Sequence, residues 1–112
     1  MYPGTILVGT QEGTAMDSIT VHQLRDRAGV PLIDVREPDE FAAGRVPGAV
    51  NLPMSQLGGR LDELPDVPFD VICKIGGRSA RVAEALTARG YEVANVDGGT
   101  DAWIEAGFPI EA

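Results

Sequence analysis

The chain's single cysteine begins a seven-residue segment whose residue types could bind and attack an anion. The segment consists of Cys73, Lys74, Ile75, Gly76, Gly77, Arg78 and Ser79. Thiolate is the nucleophilic form of cysteine, but an ordinary thiol with a pKa of about 8.5 is only a few per cent thiolate at pH 7. Backbone N–H groups, a helix dipole and the cation of Arg78 would favour the thiolate, and a pKa of about 6.5 would favour it by about 2.7 kcal/mol. We therefore predict that Cys73 is a catalytic nucleophile.

The other six residues of the segment are predicted to bind the substrate. Gly76 and Gly77 lack a β-carbon, so the backbone can curl tightly and point N–H groups at an anion. Lys74 and Arg78 add positive charge, and Ser79 adds a hydroxyl and a candidate helix cap. The alternative is structural: an inert cysteine that ends a core strand, followed by a simple Gly-Gly turn.

The elements on either side of the segment would place it at the edge of a sheet. The apolar run 69–72 predicts a buried strand, and 80–89 predicts a helix. Ligands of open α/β sheets bind at the carboxyl ends of strands, where helix N-termini present free N–H groups. Asp34 ends another predicted strand at the same edge. It is a candidate support for the loop, or equally a buried carboxylate bonded to backbone N–H groups or to Arg36.

Strand and helix patterns alternate along the chain, which predicts a parallel sheet. We expect strands at 32–35, 50–52, 69–72 and 91–96, with a short extended piece at Ile19. The Thr-x-x-Gln pattern at Thr20 predicts a capping box that opens a helix ending at Gly29. Further helices are expected over 37–43, irregularly through 57–64, over 80–89, and after a turn at 98–100 as far as Gly107.

Length and composition limit the organisation and the partners. The chain has 112 residues, which suits one domain over 17–112 preceded by an extension over 1–16 that is either mobile or an added strand. The extension has no basic start and no long apolar stretch, so we expect neither a signal peptide nor a membrane span. A net charge of −8 gives no attraction to nucleic acid or anionic lipid.

Cysteine and glycine usage narrows the chemistry further. One cysteine forms no internal disulfide, and the absence of paired Cys or Cys/His spacing makes a zinc site unexpected. The glycine pairs at 58–59 and 98–99 do not match a phosphate-binding motif, so no nucleotide is expected. We expect no metal, no cofactor and a cytoplasmic location.

Several other side chains are expected to be structural. His22 falls in the first turn of a helix and is predicted to lie on the surface rather than act as a base. Trp103 is predicted to lie in the core. The acidic residues Glu37, Asp39 and Glu40 are predicted to be a solvated helix start favoured by the dipole, or a contact for a basic partner.

The segment 73–79 resembles the active loop Cys-x-x-Gly-x-Arg-Ser of the rhodanese family. The resemblance extends from Asp17 to about Pro109, because 32–41, 44–53 and 97–103 are similar to three further family signatures in the same order. It implies a three-layer α/β domain with a central, mostly parallel five-stranded sheet flanked by helices.

The resemblance also implies a reaction. Cys73 would take the outer sulfur of thiosulfate or another sulfane-sulfur donor and hold it as a persulfide. Because the chain has no second cysteine, the acceptor would be external: cyanide in an assay, or a small thiol or a thioredoxin-like protein in a cell. Two positions depart from the family pattern, since Arg45 stands where histidine is usual and Lys74 where arginine is common.

Two rival functions remain from the residues. Cysteine phosphatases and arsenate reductases resemble Cys-x5-Arg, whereas four residues separate Cys73 from Arg78 here. The shorter loop would form a smaller bowl, better matched to a sulfur atom than to a phosphoryl group. The second rival is a catalytically weak module that works through binding or regulation, since a fold alone does not establish activity.

Overall fold

In the computed structural model, which describes residues 17–112, five short strands form one sheet. The strands are β1 (Asp17–Ile19), β2 (Leu32–Asp34), β3 (Val50–Asn51), β4 (Phe69–Ile72) and β5 (Val93–Val96). Their order across the sheet is β1-β5-β4-β2-β3. Every pairing is parallel, which confirms the predicted fold class.

Helices cover both faces of this sheet. They are α1 (Val21–Arg25), α2 (Pro38–Ala43), α3 (Met54–Leu57), α4 (Gly77–Ala88) and α5 (Gly99–Glu105). Successive strand residues enter two separate apolar clusters, as the period of two in a strand requires. One cluster joins the sheet to α3 and α4, and the other joins it to α1 and α5. The result is a three-layer domain.

The strand order fixes where a ligand site can form. From β2 the chain runs to β3 on one side, and from β4 it runs to β5 on the other. The carboxyl ends of β2 and β4 therefore flank the crevice in which open α/β sheets bind ligands. Asp34 pairs with Ile72 at those ends, and Cys73 follows directly. The predicted position of Cys73 at the carboxyl end of a strand is confirmed.

Local sequence signals account for the start of α1. The N–H of Gln23 donates to the Thr20 hydroxyl at 3.1 Å, and the N–H of Thr20 donates to the Gln23 side chain at 2.8 Å. This confirms the predicted capping box. The helix ends at Arg25, earlier than predicted, and Gly29 lies in the following turn with φ of +89°.

Other predicted boundaries are also wrong. The irregular helix over 57–64 is divided, because α3 ends at Leu57 and a short 3-10 turn follows at Leu61–Glu63. Gly58 and Gly59 lie between them, where their low helix propensity allows the break. Helix α4 begins at Gly77 rather than residue 80, and β5 begins at Val93 rather than residue 91.

The prediction of an extension over residues 1–16 falls outside the described residues. From Asp17 onward, no helix is both long enough and apolar enough to cross a bilayer.

Candidate functional site

The Cys73 sulfur lies at the bottom of a turn that directs hydrogen-bond donors towards it. The N–H of Gly76 is 3.1 Å from Sγ, and the Ser79 hydroxyl oxygen is 3.2 Å from Sγ. The residue is only 1% exposed, so it is much more enclosed than a surface thiol. A reactant must therefore be small, or must present one narrow atom at the base of the turn.

The surroundings of Cys73 act on its acidity in opposite directions. Burial raises the pKa of the thiol, since a thiolate is poorly solvated away from water. Hydrogen bonds from the Ser79 hydroxyl and from the N–H groups of Ser79, Gly76 and Ile75 lower it. The donors outweigh burial, and the pKa of Cys73 falls below its ordinary value. This is the electrostatic character expected of a reactive cysteine.

Two glycines allow the turn to close. Gly76 is the residue before α4 and has φ of +109°, a left-handed conformation that favours glycine. Gly99, which begins α5 at the turn after β5, lies directly beneath the loop. A β-carbon there would be 2.5 Å from the Lys74 carbonyl oxygen and 2.6 Å from that of Cys73. The absence of a side chain at Gly99 therefore lets the two turns pack together.

Helix α5 supports the backbone of the loop from below. The N–H and the hydroxyl of Thr100 both donate to the Cys73 carbonyl oxygen, at 2.8 and 3.0 Å. The N–H of Asp101 donates to the Lys74 carbonyl oxygen at 2.9 Å. The first turn of α5 thus satisfies the loop carbonyls and leaves the loop N–H groups to face Sγ.

Arg78 is held by an ion pair that sequence reasoning missed. Its two terminal nitrogens donate to the carboxylate oxygens of Glu40 at 2.7 and 2.9 Å. The Arg78 hydrogen bond is the largest influence on Glu40 and holds the pKa of that carboxyl at about 2. The prediction that Glu40 is merely solvated is wrong, because a residue 38 positions away supplies its partner.

Lys74 is paired as well, so the loop carries less free positive charge than its sequence suggests. Its Nζ lies 2.7 Å from the carboxylate of Asp101. Ile75 is 67% exposed on the rim of the site. A cavity of about 270 Å³ lies beside the loop, lined by residues that include Lys74, Asp101 and Glu40. An incoming anion therefore meets paired side chains and must compete with carboxylates for them.

Asp34 bonds to Arg36 rather than to the loop. Its carboxylate accepts from Arg36 Nη2 at 2.7 Å and from the Arg36 backbone N–H at 3.0 Å, and both residues are buried. This is the second of the two alternatives for Asp34. Its support of the loop is indirect, because Arg36 Nη1 donates to the Glu40 carbonyl oxygen at 3.3 Å and so contacts the helix that holds Arg78.

Ser79 is not the helix cap that the sequence predicted. Gly76 takes the capping position, and Ser79 is the third residue of α4, in its first turn, with no exposed surface. Its hydroxyl oxygen is 2.6 Å from Asn95 Oδ1, a contact that sequence reasoning missed. A polar residue within the apolar run of β5 was the available signal, since buried amides require partners.

Three other side chains have structural contacts. His22 is exposed and packs edge-on against Phe108, as a surface residue. Trp103 is 5% exposed and its Nε1 donates to the Pro109 carbonyl oxygen at 2.7 Å, which confirms a core position. Arg45 Nη1 donates to a carbonyl of α2 at 3.4 Å and does not contact the loop directly.

Comparisons with known proteins agree with this geometry. A family model described as a rhodanese-like domain matches residues 19–106. A protein of Allochromatium vinosum named sulfurtransferase is 39% identical over 100 residues, covering 87% of this chain and 94% of the relative. The crystal structure of a rhodanese-related protein from Thermoplasma volcanium superposes with a TM-score of 0.81 at 35% identity, covering 85% of this chain and 97% of that one.

The same kind of domain also occurs within a larger protein of another kind. A helix-turn-helix-type transcriptional regulator of Mycobacterium tuberculosis is 34% identical over 109 residues. The match covers 88% of this chain but only 46% of the regulator. The similarity therefore concerns the shared domain and not the regulator as a whole.

Proposed function

Because this chain belongs to the rhodanese-like domain family, we propose that it is a sulfurtransferase that uses Cys73 to carry sulfane sulfur. The donor is thiosulfate or a compound with a similarly bonded outer sulfur. The acceptor is a thiol, either a small molecule or a thioredoxin-like protein, and cyanide replaces it in an assay.

One observation carries the proposal: a cysteine of lowered pKa lies beneath a turn whose N–H groups point at its sulfur. The turn stabilises negative charge at that one place. In a sulfur transfer, charge is present on Sγ before attack and on the outer sulfur afterwards. Donors fixed in advance stabilise such charge without reorganising.

In the first half reaction, the Cys73 thiolate attacks the outer sulfur of thiosulfate. A bond forms between Sγ and that sulfur, the sulfur–sulfur bond of thiosulfate breaks, and sulfite leaves with the electron pair. The product is a persulfide whose outer sulfur carries the negative charge. That sulfur would lie among the N–H groups of Ile75, Gly76 and the first turn of α4, which have no partner within the helix.

In the second half reaction, the acceptor attacks the outer sulfur. A bond forms from the acceptor to this sulfur, the bond to Sγ breaks, and Cys73 is again a thiolate. Both steps use one site in succession, so the kinetics are expected to be ping-pong. Neither step calls for a metal or an organic cofactor.

The enclosure of Cys73 supports sulfur rather than phosphoryl chemistry. With only 1% of the residue exposed, a single sulfur atom can approach Sγ more easily than a tetrahedral phosphoryl group. The four-residue spacing between Cys73 and Arg78 gives the same preference, since the loop is one residue shorter than the phosphatase pattern.

Intact-mass measurement tests the proposal directly. After thiosulfate treatment the protein should gain the mass of one sulfur atom, and cyanide should remove it. The Cys73→Ser variant keeps a hydrogen-bonding side chain of similar shape and should gain nothing. Phosphate release from an aryl phosphate without sulfur uptake would instead support the phosphatase alternative.

A matched pair of arginines tests the role of the loop. Arg78 and Arg81 both lie on α4, and Arg81 is exposed outside the loop. We expect Arg78→Ala to raise the KM for thiosulfate at least several-fold and Arg81→Ala to leave it nearly unchanged. Equal effects would mean that only overall charge matters.

The regulator similarity favours a second candidate, a module that binds a partner without turning over sulfur. Under this alternative the folded protein would show neither sulfur uptake nor phosphate release, although Cys73 is present.

A further inference from the structure

The Ser79 hydroxyl has one proton and three groups within reach that can accept it. Its oxygen is 3.2 Å from Cys73 Sγ and 2.6 Å from Asn95 Oδ1. It is also 3.3 Å from the Gly76 carbonyl oxygen. Ser79 is fully buried and Asn95 is 3% exposed, so water does not replace a lost bond freely. The shortest of these contacts is the one to Asn95.

The orientation of the Asn95 amide decides which group receives the proton. Its Nδ2 donates to a carboxylate oxygen of Asp97 at 3.3 Å, and a carboxylate can only accept. The amide oxygen is thereby turned towards Ser79. Because Oδ1 also can only accept, the hydroxyl proton of Ser79 lies on that bond. Ser79 then presents Cys73 with a lone pair, which suits a thiol S–H and not a thiolate.

From this geometry we propose that Asn95 is a positioning residue that competes with the Cys73 thiolate for the proton of Ser79. When Cys73 loses its proton to solvent, the Ser79 hydroxyl turns from Oδ1 of Asn95 to the sulfur anion. Asn95 loses one hydrogen bond in that state. No covalent bond of Ser79 breaks, because only rotation about its Cβ–Oγ bond is needed.

The reaction cycle would move this proton twice. Once Sγ carries a second sulfur, the negative charge lies on the outer atom and Sγ no longer needs a strong donor. The Ser79 hydroxyl then returns to Asn95. When the acceptor removes the outer sulfur, the thiolate reappears and the hydroxyl turns back. This sequence rests on the proposed function, whereas the competition in the resting protein does not require any sulfur donor.

A measurement of the Cys73 titration must also take account of the charged groups around the loop. They are Asp34 and Arg36 at the end of β2, Glu40 on α2, Lys74 and Arg78 around the loop, and Asp97 and Asp101 after β5. Six of them form three ion pairs, each close to neutral. Asp97 instead accepts from the Asn95 amide, so a test that changes Asp97 must separate its charge from its hydrogen bond.

The test measures the pKa of Cys73 from the pH dependence of alkylation by iodoacetamide, with no donor or acceptor present. Asn95→Ala frees the Ser79 proton for the thiolate. A neutral hydrogen bond is worth about 1 kcal/mol, so the pH midpoint of the alkylation curve should fall by about 0.7 unit. At a pH below the midpoint this means about fivefold more thiolate. Ser79→Ala should raise the midpoint, because the thiolate loses a donor.

The double variant provides the decisive comparison. In the Ser79→Ala background, Asn95→Ala should have no effect, because the proton over which they compete is absent. An unchanged or raised midpoint in Asn95→Ala, or the same fall with and without Ser79, would overturn the proposal. Sulfur uptake by the wild type is measured separately, so failure of this inference is distinguishable from failure of the proposed function.

The exposed Asp97 gives a second variant that does not alter the core. Asp97→Ala lets the amide of Asn95 turn, which frees Ser79 and should lower the midpoint. In the Ser79→Ala background only the effect of the lost charge should remain. If Asn95→Ala does not fold, the comparison of Asp97→Ala in the wild-type and Ser79→Ala backgrounds tests the proposal instead. An equal shift of the alkylation midpoint in both backgrounds would refute the competition for the proton.

Discussion

The ion pair between Glu40 and Arg78 leads to a prediction with two separate readouts. Glu40→Gln keeps the size of the side chain and removes its charge. In the wild type, Arg78 donates to both carboxylate oxygens at 2.7 and 2.9 Å. The variant retains at most one acceptor oxygen for the same guanidinium. We expect the variant to be less stable. If Arg78 binds thiosulfate, we also expect a lower KM for thiosulfate.

The structure sets the size of the stability effect. A fall in the Glu40 pKa from 4.5 to about 2 corresponds to about 3 kcal/mol at about 1.4 kcal/mol per pKa unit. The side chains are 29% and 37% exposed, so solvent screens the pair, and we expect a loss of about 1 kcal/mol at pH 7.

The lowered pKa of Glu40 determines how the stability effect changes with pH. The folded-state pKa of Glu40 is lowered, so its contribution is complete above the unfolded-state value near 4.5. It is lost as pH falls towards about 2. Urea unfolding of wild type and Glu40→Gln should therefore differ at pH 7 and converge as pH falls below about 4.5. A difference that stays constant over this range would contradict the ion-pair explanation.

The kinetic effect follows from competition. A donor anion that binds Arg78 must displace Glu40, which opposes binding by about 1 kcal/mol. Removing that competitor should lower the KM for thiosulfate about fivefold. The matched control is Glu63→Gln, which removes the carboxylate partner of Arg60 far from the loop and should leave KM unchanged. A KM that is unchanged or raised in Glu40→Gln would refute this role of Arg78.

Three further variants test the support of the loop. Gly99→Ala should lower the free energy of unfolding by about 2 kcal/mol or more and abolish sulfur uptake, because its β-carbon would meet two loop carbonyls and its φ is +61°. Gly58→Ala is the control, since the space around Gly58 is open, and urea unfolding should show little change in its stability. Asp34→Asn should lower the free energy of unfolding by about 3 kcal/mol, because it leaves Arg36 charged and poorly paired in the interior. A loss of less than about 1 kcal/mol in urea unfolding, as for a surface ion pair, would contradict this reasoning. Arg45→His should change the free energy of unfolding by less than about 1 kcal/mol and leave the pH midpoint of Cys73 alkylation unchanged. A shifted midpoint would show that this position influences the thiol.

The features predicted correctly from the sequence depend on residues close together in the chain. The capping box needs only Thr20 and Gln23, three positions apart. The position of Cys73 needs only an apolar strand before it and a helix after it. Short-range patterns of this kind determine local conformation directly, because hydrogen bonds and side-chain periodicity act over one or two turns.

The features that were missed depend on contacts between distant segments. Glu40 and Arg78 are 38 positions apart, and Ser79 and Asn95 are 16 apart. Glu40 differs locally from Asp39 because its Oε1 accepts the N–H of Glu37 at 3.1 Å in a capping box, but no local pattern indicates a bond to Arg78. Only the strand order brings the end of β2 beside the end of β4, and with it one of these acids within reach of the loop.

The paired state of the loop cations bears on how an anion is held. Lys74 and Arg78 both have carboxylate partners at 2.7 Å, so neither offers free charge to an incoming donor. The backbone N–H groups at the start of α4 have no such competitor within the helix. These N–H groups cannot titrate. Hydrogen bonds from α5 to the carbonyls of Cys73 and Lys74 hold the loop backbone and so fix the direction of its N–H groups. Anion selection in this site therefore depends first on the backbone and second on how readily Glu40 and Asp101 release the cations.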